Sequence, residues 1–309
     1  MYPNPLKQLI GQGIAQLDER LAAGMPHSAS AIIGWMRQLA PDGQRAAYFT
    51  HPLAFPALLL PWWVNASLFG SPADPMLADV TRSTISGYYA IRLIDNVMDG
   101  EATVEPGLLP ALNFFHSQFQ AAYQPYFAAE HPFWVQFEQF WLGSADVSLR
   151  EGQLTALDEA QFWQLSAQKV SAAKIPVAAI CHRHGQPAAF TPWAALIDRL
   201  GGWHQLHNDL FDWQRDTQRG GITWFLSEAA RRKRPAEPLA GWVAREGFFW
   251  GIDTLSQWMA QLQVQAAALG SPPLADWLRQ RDTLLADAVA QVTPGLALIA
   301  RLSAVEDEG

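Results

Sequence analysis

The sequence predicts an all-α protein. Apolar residues recur at helical spacing along most of the chain. Alternating β-branched runs closed by Asn-Gly or Asp-Gly turns are missing. Half of the 309 residues are hydrophobic and only 16% are charged, so the chain has much to bury.

Residues 5–23 carry Leu6, Ile10, Ile14, Leu17 and Leu21 on one stripe. Ser28 or Ser30 caps a helix through Met36 to Leu39. Leu53 to Val64 is the most apolar stretch. Pro56 and Pro61 break it, and it is shorter than the about 20 residues that span a bilayer, so it reads as a buried helix. Residues 75–99 form a long apolar helix stopped at Asp99-Gly100. Helices at 107–128 and 132–149 follow, the second crowded with Phe133, Trp134, Phe137, Phe140 and Trp141. The helix at 157–184 runs from acidic Asp158-Glu159 to Arg183-His184-Gly185, matching the helix dipole at both ends. Helices at 189–216, 222–233, 238–268 and 274–303 complete the set. Loops fall at 40–52, 100–107, 150–156, 217–221, 233–238 and 269–274. None has the composition of a flexible linker, so one domain over 1–309 is expected.

Composition narrows the function. A net charge of −8 argues against nucleic acid as a partner. The single cysteine, Cys181, excludes an internal disulfide and suits a reducing cytoplasm. The start Met1-Tyr-Pro-Asn-Pro-Leu-Lys lacks a basic segment followed by an apolar run, so neither a secretory leader nor an integral membrane segment is expected. The fourteen tryptophans read first as a large aromatic core, and second as partial lining of a cavity for an electron-poor ligand.

Two clusters carry chemistry. In His204-Gln-Leu-His-Asn-Asp-Leu-Phe-Asp-Trp-Gln-Arg-Asp216, the residues Asn208, Asp209, Asp212 and Asp216 fall within roughly a quarter of a helical cylinder. Asp95 and Asp99 stand at i, i+4, on one face of their own helix. Oxygen ligands beside apolar residues are costly to bury without a cation. Two such faces meeting across a cavity suit a hard divalent ion, best Mg²⁺. Simpler readings stand beside these: a solvated helix end for Asp95 and Asp99, an acidic surface paired with Arg215 and Arg219, and a solvated Lys169. Cys181, His182, His184, His204 and His207 suggest zinc, but His182 and His184 lie on opposite sides of a helix. Arg231 to Arg234 reads as a helix C-terminal charge run.

Asp95-Asn96-x-x-Asp99 resembles the first aspartate-rich motif of the class I isoprenoid synthases, which include trans-prenyl diphosphate synthases and terpene cyclases, with Asn96 in place of the second aspartate. Asn208-Asp209-x-x-Asp212-x-x-x-Asp216 resembles the second motif, a hybrid of the cyclase and prenyl synthase wordings. Gln205 stands where prenyl synthases place a Gln. The match covers about residues 87–226. It implies a helical bundle around a central cavity that takes a linear prenyl diphosphate with three Mg²⁺ ions. Asp95 and Asp99 would bind two, and Asn208, Asp212 and Asp216 the third, with Asp209 orienting a neighbour. Lys169, Lys174, Arg215, Arg219 and Arg92 are the implied diphosphate cations. Tyr88, Tyr89, Trp203, Phe211 and Trp224 are candidates for π-faces toward a carbocation. A homodimer is an allowed assembly.

The branch follows from what is missing. The second diphosphate site of chain-elongating synthases has only Arg45 as a clear cation in Asp42-Gly-Gln-Arg45, which favours a cyclase acting on a C15 or longer substrate. Ile91 and Ala90, with Gly87 a turn deeper, hold the resemblance's chain-length positions. Elongating and head-to-head prenyltransferases are the alternatives. A helical metallophosphohydrolase and an inactive binding or regulatory relative are the readings from other classes.

Overall fold

The structure is a computed structural model. It describes residues 2–70, 74–98, 106–151 and 153–307, with side chains at all of these but 41, 148, 149 and 302–307. In chain order its α-helices are α1 Asn4–Gly24, α2 Ala29–Gln38, α3 Arg45–Phe49, α4 Leu59–Phe69, α5 Met76–Met98, α6 Ala111–Ala121, α7 Phe133–Glu151, α8 Glu159–Lys169, α9 Lys174–Arg183, α10 Phe190–Phe211, α11 Trp213–Arg219, α12 Trp224–Arg232, α13 Leu239–Trp242, α14 Phe248–Ala268 and α15 Pro272–Asp307. No strand occurs among the described residues. The chain packs as two compact units: Met1–Ala145 with Ser171–Trp193, and Asp146–Val170 with Ala194–Gly309.

In the first unit, the α1 stripe of Leu6, Ile10, Ile14, Leu17 and Leu21 is buried in full. α5 is buried around most of its length although it is rich in hydroxyls. The buried Ser and Thr hydroxyls are satisfied by backbone carbonyls. Thr81, Thr84 and Ser86 donate to the carbonyls one turn back, and Ser83 donates to Phe119 O at 2.8 Å. Gly87 lets α6 come close, because a Cβ there would lie 2.9 Å from the Phe119 ring.

The second unit is built around another close approach. At Gly201 on α10 a Cβ would stand 2.7 Å from Val170 Cγ2 and 3.1 Å from Ser166 O, and at Gly202 it would overlap the Trp163 ring. The glycine pair therefore seats α10 directly on α8. Most tryptophans here fill core. Trp163, Trp224 and Trp258 pack with Phe162, ring centroids 4.4–5.9 Å apart. On α15, Leu274, Leu278, Arg281 and Leu285 form the buried stripe, with the Arg281 guanidinium over the Trp277 and Trp203 rings.

Several boundaries differ from expectation. The 40–52 loop contains α3. Ser28 precedes α2 but makes no side-chain cap bond. The apolar 53–64 stretch starts its helix only at Leu59, beyond Pro56. The single helix expected at 157–184 is two helices. Asp158 and Gln161 form a capping box that starts α8, and Val170 leaves helical geometry (φ −92°, ψ 5°) to end it. The 189–216 helix breaks at Asp212 (φ −102°, ψ 7°). The 238–268 helix contains a π-helical turn at Val243–Gly247. The Leu53–Val64 stretch is not the one that meets the length and hydropathy of a membrane span: within α15, Pro272–Arg301 does, a test that core helices also pass.

Candidate active site

Within the second unit, Glu151 and Lys169 end α7 and α8, and Gln205 and Asp209 lie one turn apart on α10. With Ser166 and Thr223 they form the polar lining of a small pocket, whose apolar wall is Leu157, Phe162 and Leu165. Lys169 Nζ lies 2.7 Å from Glu151 Oε1 and 2.6 Å from Oε2. Gln205 Nε2 donates to Asp209 Oδ1 at 2.7 Å. Asp209 is 2% exposed. Burial pushes its carboxyl up to about 7, against the opposing pull of the Gln205 bond and the Lys169 charge. The Asp216 carboxyl is also raised, first by burial, while Arg215, Arg219 and Lys169 pull it down.

The four residues expected on one side of one helix are divided by the break at Asp212, and they meet different surroundings. Asn208 is exposed and its neighbour Asp209 is buried, as a turn of about 100° between adjacent residues allows. The bonds Asp212 N to Asn208 O (2.8 Å) and Asp216 N to Asp212 O (3.0 Å) carry helical spacing through the break at Asp212. Asn208, Asp212 and Asp216 thus form one row, and Asp209 stands to its buried side. Arg215 pairs with Asp212 at 2.5 Å. His207, stacked on Trp203 and tilted against Phe211, is pushed below the usual imidazole range, first by burial. Trp203 and Trp224 are buried core residues.

The remaining sequence candidates belong to the first unit. Asp95, Ile91 and Arg92 are half-buried on α5, and Asp99 lies outside the described residues. Asn96 is fully buried, and neither of its amide atoms has a hydrogen-bond partner among the described residues. Lys174 is buried with its ammonium over the Phe140 ring, unlike pocket-lining Lys169. Ala90 is 1% exposed and Gly87 backs onto Phe119, so the space expected beside them is filled by the protein's own packing. Tyr88 instead lines a small, mostly apolar pocket with Tyr48, Phe49, Phe55, Leu58 and Thr84. The hydroxyls of Tyr48 and Tyr88 are 3.1 Å apart. Tyr89 is core, stacked on Phe115. Arg45 is held by Asp18 at 2.7 and 2.5 Å.

Glu151, Ser166, Thr223 and Tyr48 were not singled out from sequence. The Gly201-Gly202 pair was the available signal for Ser166, because adjacent helical glycines mark where another helix comes close.

Comparison with solved structures places the fold. The chain is similar to Geranylgeranyl Pyrophosphate Synthetase from the archaeon Geoglobus acetivorans, with a TM-score of 0.61 at 11% identity over 90% of this chain and 99% of that one. A second similar structure is polyprenyl synthetase from Streptomyces coelicolor A3(2), with a TM-score of 0.42 at 15% identity over 94% and 99%. No protein-family model and no curated protein matches the chain. At 11% identity the first likeness is one of fold alone: an all-helical fold shared with that synthetase.

Proposed function

We propose that this chain, as one catalytic domain over 1–309, binds an allylic prenyl diphosphate and breaks its C–O bond with release of pyrophosphate. The observation that carries the reading is the pocket of the second unit. There a lysine, a buried carboxyl locked by Gln205 and a serine hydroxyl with no partner among the described residues meet an apolar wall, on a fold shared with a prenyl diphosphate synthetase. Lys169 pairs with a diphosphate oxygen. Gln205 fixes Asp209, and Asp209 in turn fixes the electrostatics around Lys169. Phe162, Leu157 and Leu165 keep water from the cation side.

The donors fit Mg²⁺ in kind. They are hard oxygens, and burial leaves the Asp209 and Asp216 carboxyls short of cationic compensation. Among the described residues no three His, Cys, Asp or Glu stand together as a ready-made metal cage. Asn208, Asp212 and Asp216, with Asp95 and Asp99 of the first motif, are the proposed ligands. Bound Mg²⁺ would neutralise charge as the diphosphate leaves. Arg92, Arg215 and Arg219 are proposed to help hold the diphosphate.

Prenyl transfer to a second isoprenoid is the outcome that the fold neighbour supports better. Cyclisation of the cation is the second reading, favoured by Arg45: its guanidinium is already committed to Asp18, which leaves a second diphosphate poorly held. Incubation with C10, C15, C20 and C25 allylic diphosphates, with and without isopentenyl diphosphate, followed by mass spectrometry, separates the two. Elongated diphosphates support transfer, and hydrocarbons or alcohols formed without isopentenyl diphosphate support cyclisation. Pyrophosphate release from none of them would overturn both.

A further inference from the structure

Glu151 has no part in the chemistry just described, yet it holds the lysine on which that chemistry depends. Both oxygens of its carboxylate lie within 2.7 Å of Lys169 Nζ. Each residue is the last of its helix. A helix C-terminus favours a cation and disfavours an anion, so Lys169 is well placed by α8 while Glu151 is badly placed by α7. The ion pair offsets that cost. The side chains are 29% and 27% exposed, so their attraction is only partly screened.

The surroundings point to a ligand. Ser166 lies one turn before Lys169 on the same helix and lines the same pocket. It is 2% exposed, and its Oγ has no hydrogen-bond partner among the described residues. A hydroxyl and an ammonium on one helical face are the donors that a phosphoryl oxygen takes. Glu151 occupies the ammonium in their absence.

We propose that Glu151 is a positioning residue for Lys169: it holds the ammonium in the pocket beside Ser166 and competes for it with an incoming diphosphate. The proposal rests on the prenyl diphosphate reading. With Glu151 and Asp209 both present, a bare diphosphate meets two acidic groups and one ammonium, and binds poorly. A diphosphate that brings divalent cations does not meet this penalty. Glu151 thereby favours the metal-loaded substrate over the bare anion.

The test is calorimetric binding of inorganic pyrophosphate to the full chain, with and without Mg²⁺. Glu151→Gln keeps the size of the side chain and removes its charge. Without Mg²⁺ it is expected to bind pyrophosphate about three- to fivefold more tightly than the wild type, the scale of one partly exposed ion pair. Glu151→Asp is expected to return the affinity to the wild-type value. Adding Lys169→Met to Glu151→Gln is expected to abolish the gain. A lost structural brace would lower Tm and loosen binding, and so would not imitate this pattern. Unchanged or weaker Mg²⁺-free binding by Glu151→Gln, with the wild type still binding pyrophosphate in Mg²⁺, overturns the proposal alone. Absence of binding by the wild type even in Mg²⁺ overturns the diphosphate reading and the proposal together.

Discussion

Gln205 donates its side-chain amide to Asp209 Oδ1 at 2.7 Å, across one turn of the same helix. The bond fixes a carboxyl that is otherwise sealed from water, and it pulls against burial on that carboxyl's charge state. A hydrogen bond to the ionised form favours ionisation, while burial opposes it more strongly. Asp209 therefore stands near half-protonation at neutral pH, one turn from Gln205 and within the field of Lys169, Glu151 and Asp216.

A pH dependence of stability follows. Between its ordinary value of 3.8 and about 7, Asp209 holds a proton in the folded chain and not in the unfolded one. The ligand-free protein should therefore lose stability as pH rises from about 4 to about 7. Asp209→Asn removes this term, so its Tm advantage over the wild type should grow across that window and level off above it. The difference should reach at most roughly 2–4 kcal/mol. His204, pushed down to about 3 by burial, acts oppositely by costing stability as pH falls below its ordinary value, but it cancels in the comparison. Thermal melts of both proteins from pH 4 to 8 check the slope; a parallel pair of curves would contradict the buried-carboxyl account.

Gly202 should tolerate no side chain. A Cβ there overlaps the Trp163 ring, so Gly202→Ala must push α10 away from α8 or displace an indole packed on Trp258. Overpacking of this kind costs about 1–3 kcal/mol. Because the same contact sets Gln205 and Asp209 beside Lys169, pyrophosphate release should fall along with Tm. Calorimetry and an activity assay on one preparation measure both.

Substrate length should respond at Tyr88 and not at Ala90. Tyr88 lines open apolar space with Tyr48 and Phe55, whereas Ala90 is packed shut. Tyr88→Ala should shift the preferred prenyl chain toward longer substrates. Ala90→Phe should cost stability by about 1–3 kcal/mol without a clean change of length. Competition among C10, C15, C20 and C25 diphosphates, with Tm measured alongside, tells these outcomes apart.

Much of the architecture is legible in the sequence, because helical periodicity is a local signal. The α1 stripe and the run that forms α5 can be read directly from apolar spacing. The breaks at Val170 and Asp212 cannot, because neither position carries a proline or glycine. At Val170 the geometry goes with the close approach of α8 to α10 at Gly201, some thirty residues away. The site shows the same division. The row of Asn208, Asp212 and Asp216 follows from spacing alone. The burial of Asp209 and the partnership of Lys169 with Glu151 depend on which helices meet, and spacing within one helix does not carry that information. Tyr48 was hidden for a similar reason: it sits in a five-residue helix inside a stretch that reads as loop.

The most direct measurement is Mg²⁺-dependent pyrophosphate release from allylic diphosphates by the wild type, Asp95→Ala, Lys169→Met and Asp216→Ala, each first shown by circular dichroism and Tm to be folded. The account predicts release by the wild type and a loss of about 10²-fold or more in each variant, the scale on which single groups that stabilise developing charge act. Near-full rates in both Asp95→Ala and Asp216→Ala, or no release by the wild type from any C10–C25 substrate, would contradict it.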